Sequence, residues 1–270
     1  MKIVSICGNH PRNLALAQKL IELDCLSQLI VEEREEFNPI PNPNWEKIDR
    51  ENFIKHFNNR KEAEKIYFKD NYKLPNNTFF VDNVNSKKIV EFLVNNNVDI
   101  VFLFGASIIS KDNLKFFPKY TINLHSGIVP RYKGHASGFW SFYYLEPNWS
   151  GHSYHLINEN IDNGNIIHQS CPLIDKQDNL QIVASKSAYK AIDEINLIIN
   201  KIKNNKLITY KQQNDTRVYF KKDFNVKYLR LVYNFFDDKI ADLYINKEIN
   251  PPEIKIHKIK FQNLQIYMIF

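Results

Sequence analysis

The chain has 270 residues, of which 44% are hydrophobic and 24% are charged, a composition that excludes a disordered chain. Its 36 Lys and Arg outnumber its 30 Asp and Glu, and the net charge of +6 permits an anionic partner such as phosphate, nucleotide or RNA without requiring one. At about 100–200 residues per domain, this length predicts one large domain with a small appendage.

The sequence contains no sign of secretion or of a membrane span. Cys7, Cys25 and Cys171 are far apart and form no C-x-x-C, which is typical of reduced thiols in the cytosol. The first residues lack the apolar core of a signal peptide, and no apolar run approaches the ~18 residues that a membrane helix needs. We therefore expect a cytoplasmic protein with no membrane partner.

From the start of the chain to about Lys203, short apolar segments alternate with amphipathic ones. Residues 99–104 are apolar on both faces, as in a central parallel strand. The alternation predicts an α/β fold with a doubly wound, mostly parallel, Rossmann-like sheet, whose ligands bind at the carboxyl ends of the strands. Residues 32–75, which are charged and rich in Pro and Asn, are interpreted as an insertion or lid. The predicted strands are residues 2–7, 29–31, 78–81, 99–104, 120–124, 150–157 and 165–169, and the predicted helices begin at Pro11 and cover 60–68, 89–93, 136–145 and 180–203.

After Lys206 the pattern changes, which divides the chain into a catalytic domain (1–205) and a small α+β appendage (206–270). The appendage is predicted to contain a helix over 226–236 and, over 253–270, an apolar β-hairpin with a bulge. Because so apolar a hairpin is marginal alone, it must pack on the main domain or on a second subunit. We expect it to dimerise the chain into a homodimer.

Three polar residues follow the predicted strands at one edge of the sheet. Asn123 and His125 are two residues apart at a strand end, so their side chains share a face and offer a hydrogen-bond donor beside a proton acceptor. Asp162 lies on a tight turn that Gly164 relieves, where a carboxylate can orient the imidazole and stabilise its protonated form.

The spacing of these residues resembles the folate-dependent formyltransferase family. The motifs are N-x-H at 123–125, P-x-Y-x-G at 130–134 and G-(x)3-H-(x)6-D-x-G-x-I-(x)2-Q at 151–169. The resemblance implies the formyltransferase fold and the donor N10-formyltetrahydrofolate. It also implies that Asn123 donates to the formyl oxygen and that His125 handles protons and stabilises the tetrahedral intermediate. Asp162 is implied to orient His125 and to help take the amine's proton.

The resemblance further implies two backbone segments that grip the donor's pterin. They surround the strand end at 104–109 and the loop at 158–162, and Gly105 is expected to let the backbone approach a flat ring. The candidate donor-binding residues are Phe104, Gly105, Ser107, Ile109, Asn158, Asn160 and Ile161.

The acceptor site is predicted from several separate segments. The turn before the helix at Pro11 carries Asn9, His10 and Arg12 and suits a phosphate, although it lacks G-x-G-x-x-G. Ser126-Gly127 stands where ribonucleotide formyltransferases have Pro-Ser, and we expect the smaller residue to leave room for a sugar. Asn83 resembles a residue that amino-sugar formyltransferases place beside the hexose. Further candidates are Tyr132, Lys133 and Trp140.

No metal site is predicted. His152 and His155 are three apart on a strand and so face opposite sides, and no H-E-x-x-H or Cys/His cluster occurs. His155 is interpreted as structural or acceptor-positioning.

The length, the N-terminal loop and the short appendage resemble N-formyltransferases of nucleotide-linked amino sugars most, which serve surface polysaccharides such as the lipopolysaccharide O-antigen. The preferred acceptor is dTDP-4-amino-4,6-dideoxyglucose, with GDP-perosamine as the alternative. Methionyl-tRNA and purine-pathway formylation remain open, but the first branch carries a larger RNA-binding domain, so nucleic acid is a weaker partner. Outside enzymes, the alternative is a silent binder of nucleotide sugar or folate, which the presence of Asn123, His125 and Asp162 disfavours.

Overall fold

The computed structural model describes residues 1–33, 39–69, 71–213 and 216–259, and within them the chain forms one large sheet of seven strands. Its strand order is β3-β2-β1-β4-β5-β7-β8, and a separate two-stranded sheet pairs β6 with β9. The strands are β1 (Ile3–Gly8), β2 (Leu26–Glu32), β3 (Phe79–Val81), β4 (Ile100–Phe104), β5 (Tyr120–His125), β6 (Lys133–Gly134), β7 (His152–Leu156), β8 (Ile166–Ser170) and β9 (Val218–Tyr219).

Helices cover both faces of the large sheet, and four short turns of other helix types are described besides them. The helices are α1 (Pro11–Glu22), α2 (Lys47–Tyr67), α3 (Lys87–Asn95), α4 (Lys111–Leu114), α5 (Ser137–Tyr143), α6 (Leu180–Asp193), α7 (Ile195–Lys203) and α8 (Ile240–Ile245). Three-residue 3-10 turns lie at Pro147–Trp149, Lys221–Asp223 and Val226–Tyr228, and a π-helical turn lies at Leu231–Phe235.

The predicted doubly wound α/β fold is confirmed. The first five strands in this order, from β3 through β2, β1 and β4 to β5, are parallel. Strand β7 pairs antiparallel with β5, and β8 pairs antiparallel with β7. Along β4, Ile100 and Phe102 pack into the core that includes α1 and α6, while Val101 and Leu103 pack into the core that includes α3. The chain order reverses between β1 and β4, which is the switch point where such sheets form a crevice.

Helix α2 is a 21-residue helix that starts well before the helical stretch predicted at 60–68. It packs against α6. This part of the segment that the sequence suggested as an insertion or lid is therefore packed into the domain. Arg230 holds its first turn with two hydrogen bonds to Asp49, at 2.7 and 2.8 Å. Residues 34–38 and 70 of the same segment lie outside the described residues.

Two predicted helices differ from those observed. The long helix over 180–203 is divided into α6 and α7 at Glu194, whose carboxylate accepts hydrogen bonds from His168 and Ser170 of β8. The helix predicted over 226–236 is replaced by the 3-10 and π-helical turns. Tertiary contacts therefore override the helical periodicity in both places.

The residues after 206 share a hydrophobic core with the earlier part of the chain. Tyr219 and Leu229 pack in one cluster with Tyr132 and Phe142, and β9 pairs with β6. Residues 253–259 form no strand of their own, but the backbone of His257 accepts a hydrogen bond from the Gln169 N–H of β8. The first strand of the predicted hairpin is therefore not observed over 253–259, and 260–270 lies outside the described residues. The dimerising role of this segment, the homodimer and the division at 205/206 stay predictions. Among the helices described, none has the length and apolar character needed to cross a bilayer.

Gly134 is a glycine for which both the backbone conformation and the packing predict an effect on stability. A Cβ there would lie 2.1 Å from the Tyr219 carbonyl oxygen, and the φ of +86° is one that L side chains rarely adopt. Gly134→Ala should lower the free energy of unfolding by about 1–3 kcal/mol, measured by urea denaturation. The control is Gly138→Ala, because its Cβ would meet nothing within 4 Å in α5 and should be neutral or stabilising by up to ~1 kcal/mol. Equal stability of the two variants would contradict this account of Gly134.

Candidate active site

A cleft with a volume of about 810 Å³ opens beside the carboxyl ends of β4 and β5. Asn123, His125 and Asp162 all line it. The structure thus brings together the three residues that the sequence predicts as catalytic, and it places them where open α/β sheets bind ligands.

Local geometry explains how each of the three side chains is placed. Asn123 and His125 lie at the end of β5 with one residue between them and therefore share a face. Asp162 has a left-handed φ of 47° in the connection between β7 and β8. The Gln212 side-chain amide holds this turn by donating to the carbonyl oxygens of Asp162, at 2.9 Å, and Gly164, at 2.7 Å.

The carboxylate of Asp162 joins the site together. Its Oδ2 lies 3.2 Å from His125 Nδ1 and accepts a hydrogen bond from the Gly134 N–H at 2.8 Å. Its Oδ1 accepts from Asn123 Nδ2 at 3.3 Å. One carboxylate therefore orients both the amide and the imidazole.

The other ring nitrogen of His125 has two neighbours. Nε2 lies 2.9 Å from the Tyr132 carbonyl oxygen and 3.2 Å from Ser137 Oγ. The carboxylate of Asp162 and the carbonyl of Tyr132 only accept hydrogen bonds, so a neutral ring can donate to one of them at a time. When the proton is on Nδ1, the Ser137 hydroxyl can donate to Nε2, which makes Ser137 a residue of the site that sequence reasoning missed.

The electrostatics of the pair favour a neutral imidazole beside an ionised carboxylate. Burial lowers the pKa of His125 below its usual 6.5, which outweighs the opposite effect of Asp162. Burial raises the pKa of Asp162, but His125, His155 and the Gly134 N–H lower it more, so the net pKa lies below its usual 3.8. At neutral pH the site therefore holds a base ready to accept a proton.

His155 belongs to the same cluster. It lies opposite Asn123 in the antiparallel pairing of β5 with β7. Its Nε2 is 3.3 Å from Asn123 Nδ2 and 3.4 Å from Asp162 Oδ1, and its Nδ1 is 2.8 Å from the Leu156 carbonyl oxygen. The contact depends on the pairing of residues 122–125 with residues 153–156. Period-2 alternation along a single strand does not reveal which residues of two strands lie opposite each other.

His152 lines the same cleft as His155, but its ring contacts a different element. Its Nδ1 lies 2.7 Å from Ser187 Oγ of α6. Among the described residues, no group of three His, Cys, Asp or Glu side chains could hold a metal ion.

All seven residues predicted for the donor line the cleft, which places Phe104, Gly105, Ser107, Ile109, Asn158, Asn160 and Ile161 along it. The structure gives Gly105 a role besides the predicted approach of a flat ring, which stays a prediction. A Cβ at Gly105 would lie 2.2 Å from Asn13 Nδ2, and its φ is +67°, so the glycine is required by the packing of Asn13.

Glu32, at the end of β2, was not predicted and holds two loops of this region. Its fully buried carboxylate accepts hydrogen bonds from the backbone N–H of Ser107, at 2.6 Å, and of Val84, at 2.8 Å. It thereby ties the loop after β4 to the loop after β3.

The residues predicted for the acceptor are divided. Arg12 and Ser126 line the cleft. Seven others are outside the cleft lining, namely Asn9, His10, Asn83, Gly127, Tyr132, Lys133 and Trp140. For several of the seven, contacts with other residues of the protein explain why the side chain does not line the cleft.

The withdrawn side chains have partners within the protein. The Tyr132 hydroxyl donates to Glu146 at 2.5 Å, and Lys133 Nζ donates to Asn163 at 2.5 Å. Trp140 is stacked against Tyr219 with ring centroids 4.7 Å apart, and Tyr219, not Trp140, lines the cleft.

The expectation that Gly127 leaves room for a bulky acceptor is wrong. A Cβ at this position would lie 2.5 Å from the Tyr132 carbonyl oxygen, 2.7 Å from Ser137 Cβ and 2.8 Å from His125 Nε2. The space is filled by the site itself, so Gly127 permits the close approach of His125 and Ser137.

Comparison with known proteins identifies the family. The profile of the Formyl transferase family matches residues 55–196, more than half of the chain, and the chain therefore belongs to this family. It is 28% identical over 169 residues to the bifunctional polymyxin resistance protein ArnA of Wigglesworthia glossinidia brevipalpis, covering 60% of this chain and 25% of ArnA. It is 28% identical over 190 residues to methionyl-tRNA formyltransferase of Buchnera aphidicola, covering 70% of this chain and 59% of that protein. It is 29% identical over 131 residues to GDP-perosamine N-formyltransferase of Brucella melitensis, covering 48% and 50% of the two chains.

The chain thus spans well under two thirds of the length of these curated relatives. Solved structures with the same fold include a sugar N-formyltransferase from Shewanella sp. FDAARGOS_354, with a TM-score of 0.57 and 17% identity over 83% of this chain and 78% of that one. Another is the formyltransferase PseJ from Anoxybacillus kamchatkensis in complex with UDP-4,6-dideoxy-4-formamido-L-AltNAc and tetrahydrofolate. Its TM-score is 0.53 at 20% identity, covering 90% of this chain and 97% of that one.

Proposed function

We propose that this protein transfers a formyl group from N10-formyltetrahydrofolate to the amine of a nucleotide-linked amino sugar. The observation that carries the proposal is the cluster of Asn123, His125 and Asp162 within a cleft of about 810 Å³. Membership of the Formyl transferase family and the sugar N-formyltransferases among the structures of the same fold support it.

The described residues fit a folate at one part of the cleft. Apolar side chains of Leu103, Ile109 and Ile157 line it together with the loop 158–162. Apolar walls with a few polar groups between them are what a flat, hydrogen-bonding pterin requires. N10-formyltetrahydrofolate supplies the formyl carbon when bound, and the residues of the chain carry out the rest.

In the proposed reaction, the amine of the acceptor attacks the formyl carbon and negative charge develops on the formyl oxygen. Asn123 is placed to donate to that oxygen. Its Nδ2 makes two long contacts, to His155 and to Asp162, at 3.3 Å each, and a hydrogen bond to the formyl oxygen can replace one of them. The neutral His125 accepts the proton that the amine loses. Asp162 stabilises the imidazolium that forms. The imidazolium then gives this proton to the folate nitrogen as the bond from the formyl carbon to that nitrogen breaks, so the new C–N bond remains and His125 is neutral again.

Two finer acceptors follow from the sequence. The preferred one is dTDP-4-amino-4,6-dideoxyglucose, and the alternative is GDP-perosamine, which the similarity to a GDP-perosamine N-formyltransferase favours. Either would serve a surface polysaccharide. Methionyl-tRNA is a second candidate because of the similarity to the Buchnera enzyme.

The test is incubation of the protein with N10-formyltetrahydrofolate and a panel of acceptors, followed by mass spectrometry. The panel contains dTDP-4-amino-4,6-dideoxyglucose, GDP-perosamine, glycinamide ribonucleotide and methionyl-tRNA. We expect a gain of one formyl group on an amino sugar and none on the other two acceptors. Formylation of methionyl-tRNA or of glycinamide ribonucleotide alone, or of none of the four, would contradict the proposal.

A further inference from the structure

Helix α2 contributes one face to the cleft. Phe53, Phe57 and Arg60 are spaced i, i+4 and i+7, so they lie along one stripe of the helix, and all three line the cleft. This stripe is separate in sequence from the segments 104–109 and 158–162 predicted for the donor. It combines an apolar aromatic surface with a guanidinium group.

A buried carboxylate one turn further along α2 fixes the position of the guanidinium groups. Glu64 is 6% exposed, and its Oε1 lies 3.1 Å from Arg60 Nε and 3.5 Å from Arg12 NH1. Its Oε2 lies 3.3 Å from His10 Nε2. Two arginines from different elements therefore meet at one oxygen, and both line the cleft at the turn that follows β1. Burial and the two arginines lower the pKa of His10 well below 6.5, so His10 is neutral in this cluster.

The aromatic part of the stripe packs against neighbouring rings. The rings of Phe53 and Phe57 have centroids 4.7 Å apart, and Trp45 packs edge-on against Phe53 at 5.2 Å. Phe53 and Phe57 are partly exposed, so their faces are available to the cleft. Flat apolar surface beside paired guanidinium groups matches a ligand that joins an aromatic ring system to phosphate.

We propose that α2 forms the nucleotide subsite of the acceptor, in which Arg12 and Arg60 pair with the diphosphate and Phe53 and Phe57 contact the base. This rests on the proposed function, because the ligand is the nucleotide part of the acceptor. The carboxylates of a folate tail share the anionic chemistry, and the experiment separates the two sources.

The experiment measures binding by isothermal titration calorimetry with the intact chain, using dTDP, UDP and GDP as nucleotide probes and 5-formyltetrahydrofolate as the folate probe. For Arg60→Gln we expect nucleotide affinity to fall about 10- to 100-fold, the usual cost of one charge-assisted contact, with folate affinity changed less than about threefold. Arg60→Lys should lose part of this affinity because a lysine cannot form a bidentate pair. Phe57→Ala should weaken nucleotide binding while the ion pairs of Glu64 with Arg12 and Arg60 remain. Lys61→Gln, an exposed charge on the same helix, is the matched control and should bind as the unmodified chain does.

Weakened folate binding with nucleotide binding intact would overturn the assignment, because the arginines would then serve the donor. Unchanged nucleotide binding in both Arg60→Gln and Phe57→Ala would overturn it as well. Circular dichroism melts establish that each variant is folded, and Phe57→Ala keeps the test decisive if removal of Arg60 unfolds the chain. Since binding is measured without turnover, a failure of formyl transfer in the acceptor panel is distinguishable from a failure of this subsite.

Discussion

Replacement of Asn123 or of His125 by alanine is expected to lower kcat/KM for formyl transfer by about 100- to 1000-fold each, with the fold retained. In the proposed reaction, Asn123→Ala removes the amide assigned to the developing oxyanion, and His125→Ala removes the base assigned to the amine's proton. Both side chains lie at the end of β5 in an existing cleft, so the sheet does not depend on them.

The measurement is a steady-state rate assay with an amino-sugar acceptor, with circular dichroism as the check on folding. His257→Ala is the matched control, because His257 stacks on Tyr210 and is outside the cleft lining. Its rate should be close to that of the unmodified chain. Near-normal rates in both active-site variants would refute the assignment.

Asp162→Asn is expected to lower kcat by about 100-fold or more, since general acid–base catalysis contributes 100- to 10,000-fold and the amide cannot stabilise an imidazolium. The substitution also has a defined effect on pH dependence. Asp162 raises the pKa of His125 against the larger effect of burial, so its removal lowers that pKa further. The rate needs neutral His125 and is lost as pH falls through the His125 pKa. The acid limb of the pH–rate profile should therefore move to lower pH in the variant.

A pH–rate profile of the variant and of the unmodified chain checks both parts of this prediction. Asp193→Asn is the control, because Asp193 is an exposed carboxylate that pairs with Lys19, and neither residue lines the cleft. A displacement of the acid limb to higher pH, or an unchanged kcat, would show that Asp162 does not act on His125.

Much of the sheet and the reactive cluster could be predicted because both follow from local pattern. Alternation along β5 places Asn123 and His125 on one face, and the Asp162-Asn163-Gly164 sequence marks the turn between β7 and β8. The apolar run of β4 likewise identified the centre of the sheet. These features depend on residues within a few positions of one another.

The residues that face the acceptor could not be predicted in the same way, because contacts between distant parts of the sequence determine which side chains reach the cleft. Tyr132 looked like a ligand residue, but a hydrogen bond to Glu146 turns it inward. Conversely, no local sequence pattern distinguishes Arg60. Its link to Arg12, 48 residues earlier, is made by Glu64, which contacts both side chains. The charged and Pro/Asn-rich composition around α2 concealed a helix whose stability depends on packing against α6.

The most direct test of the account follows the formyl carbon itself. N10-formyltetrahydrofolate labelled with 13C in the formyl group is incubated with the protein and an amino-sugar acceptor, and the label is followed by NMR. The account predicts that the label appears as a formamide carbon on the sugar with the unmodified chain, and that His125→Ala suppresses this signal. Label that stays on the folate or appears only as formate with the unmodified chain would contradict it.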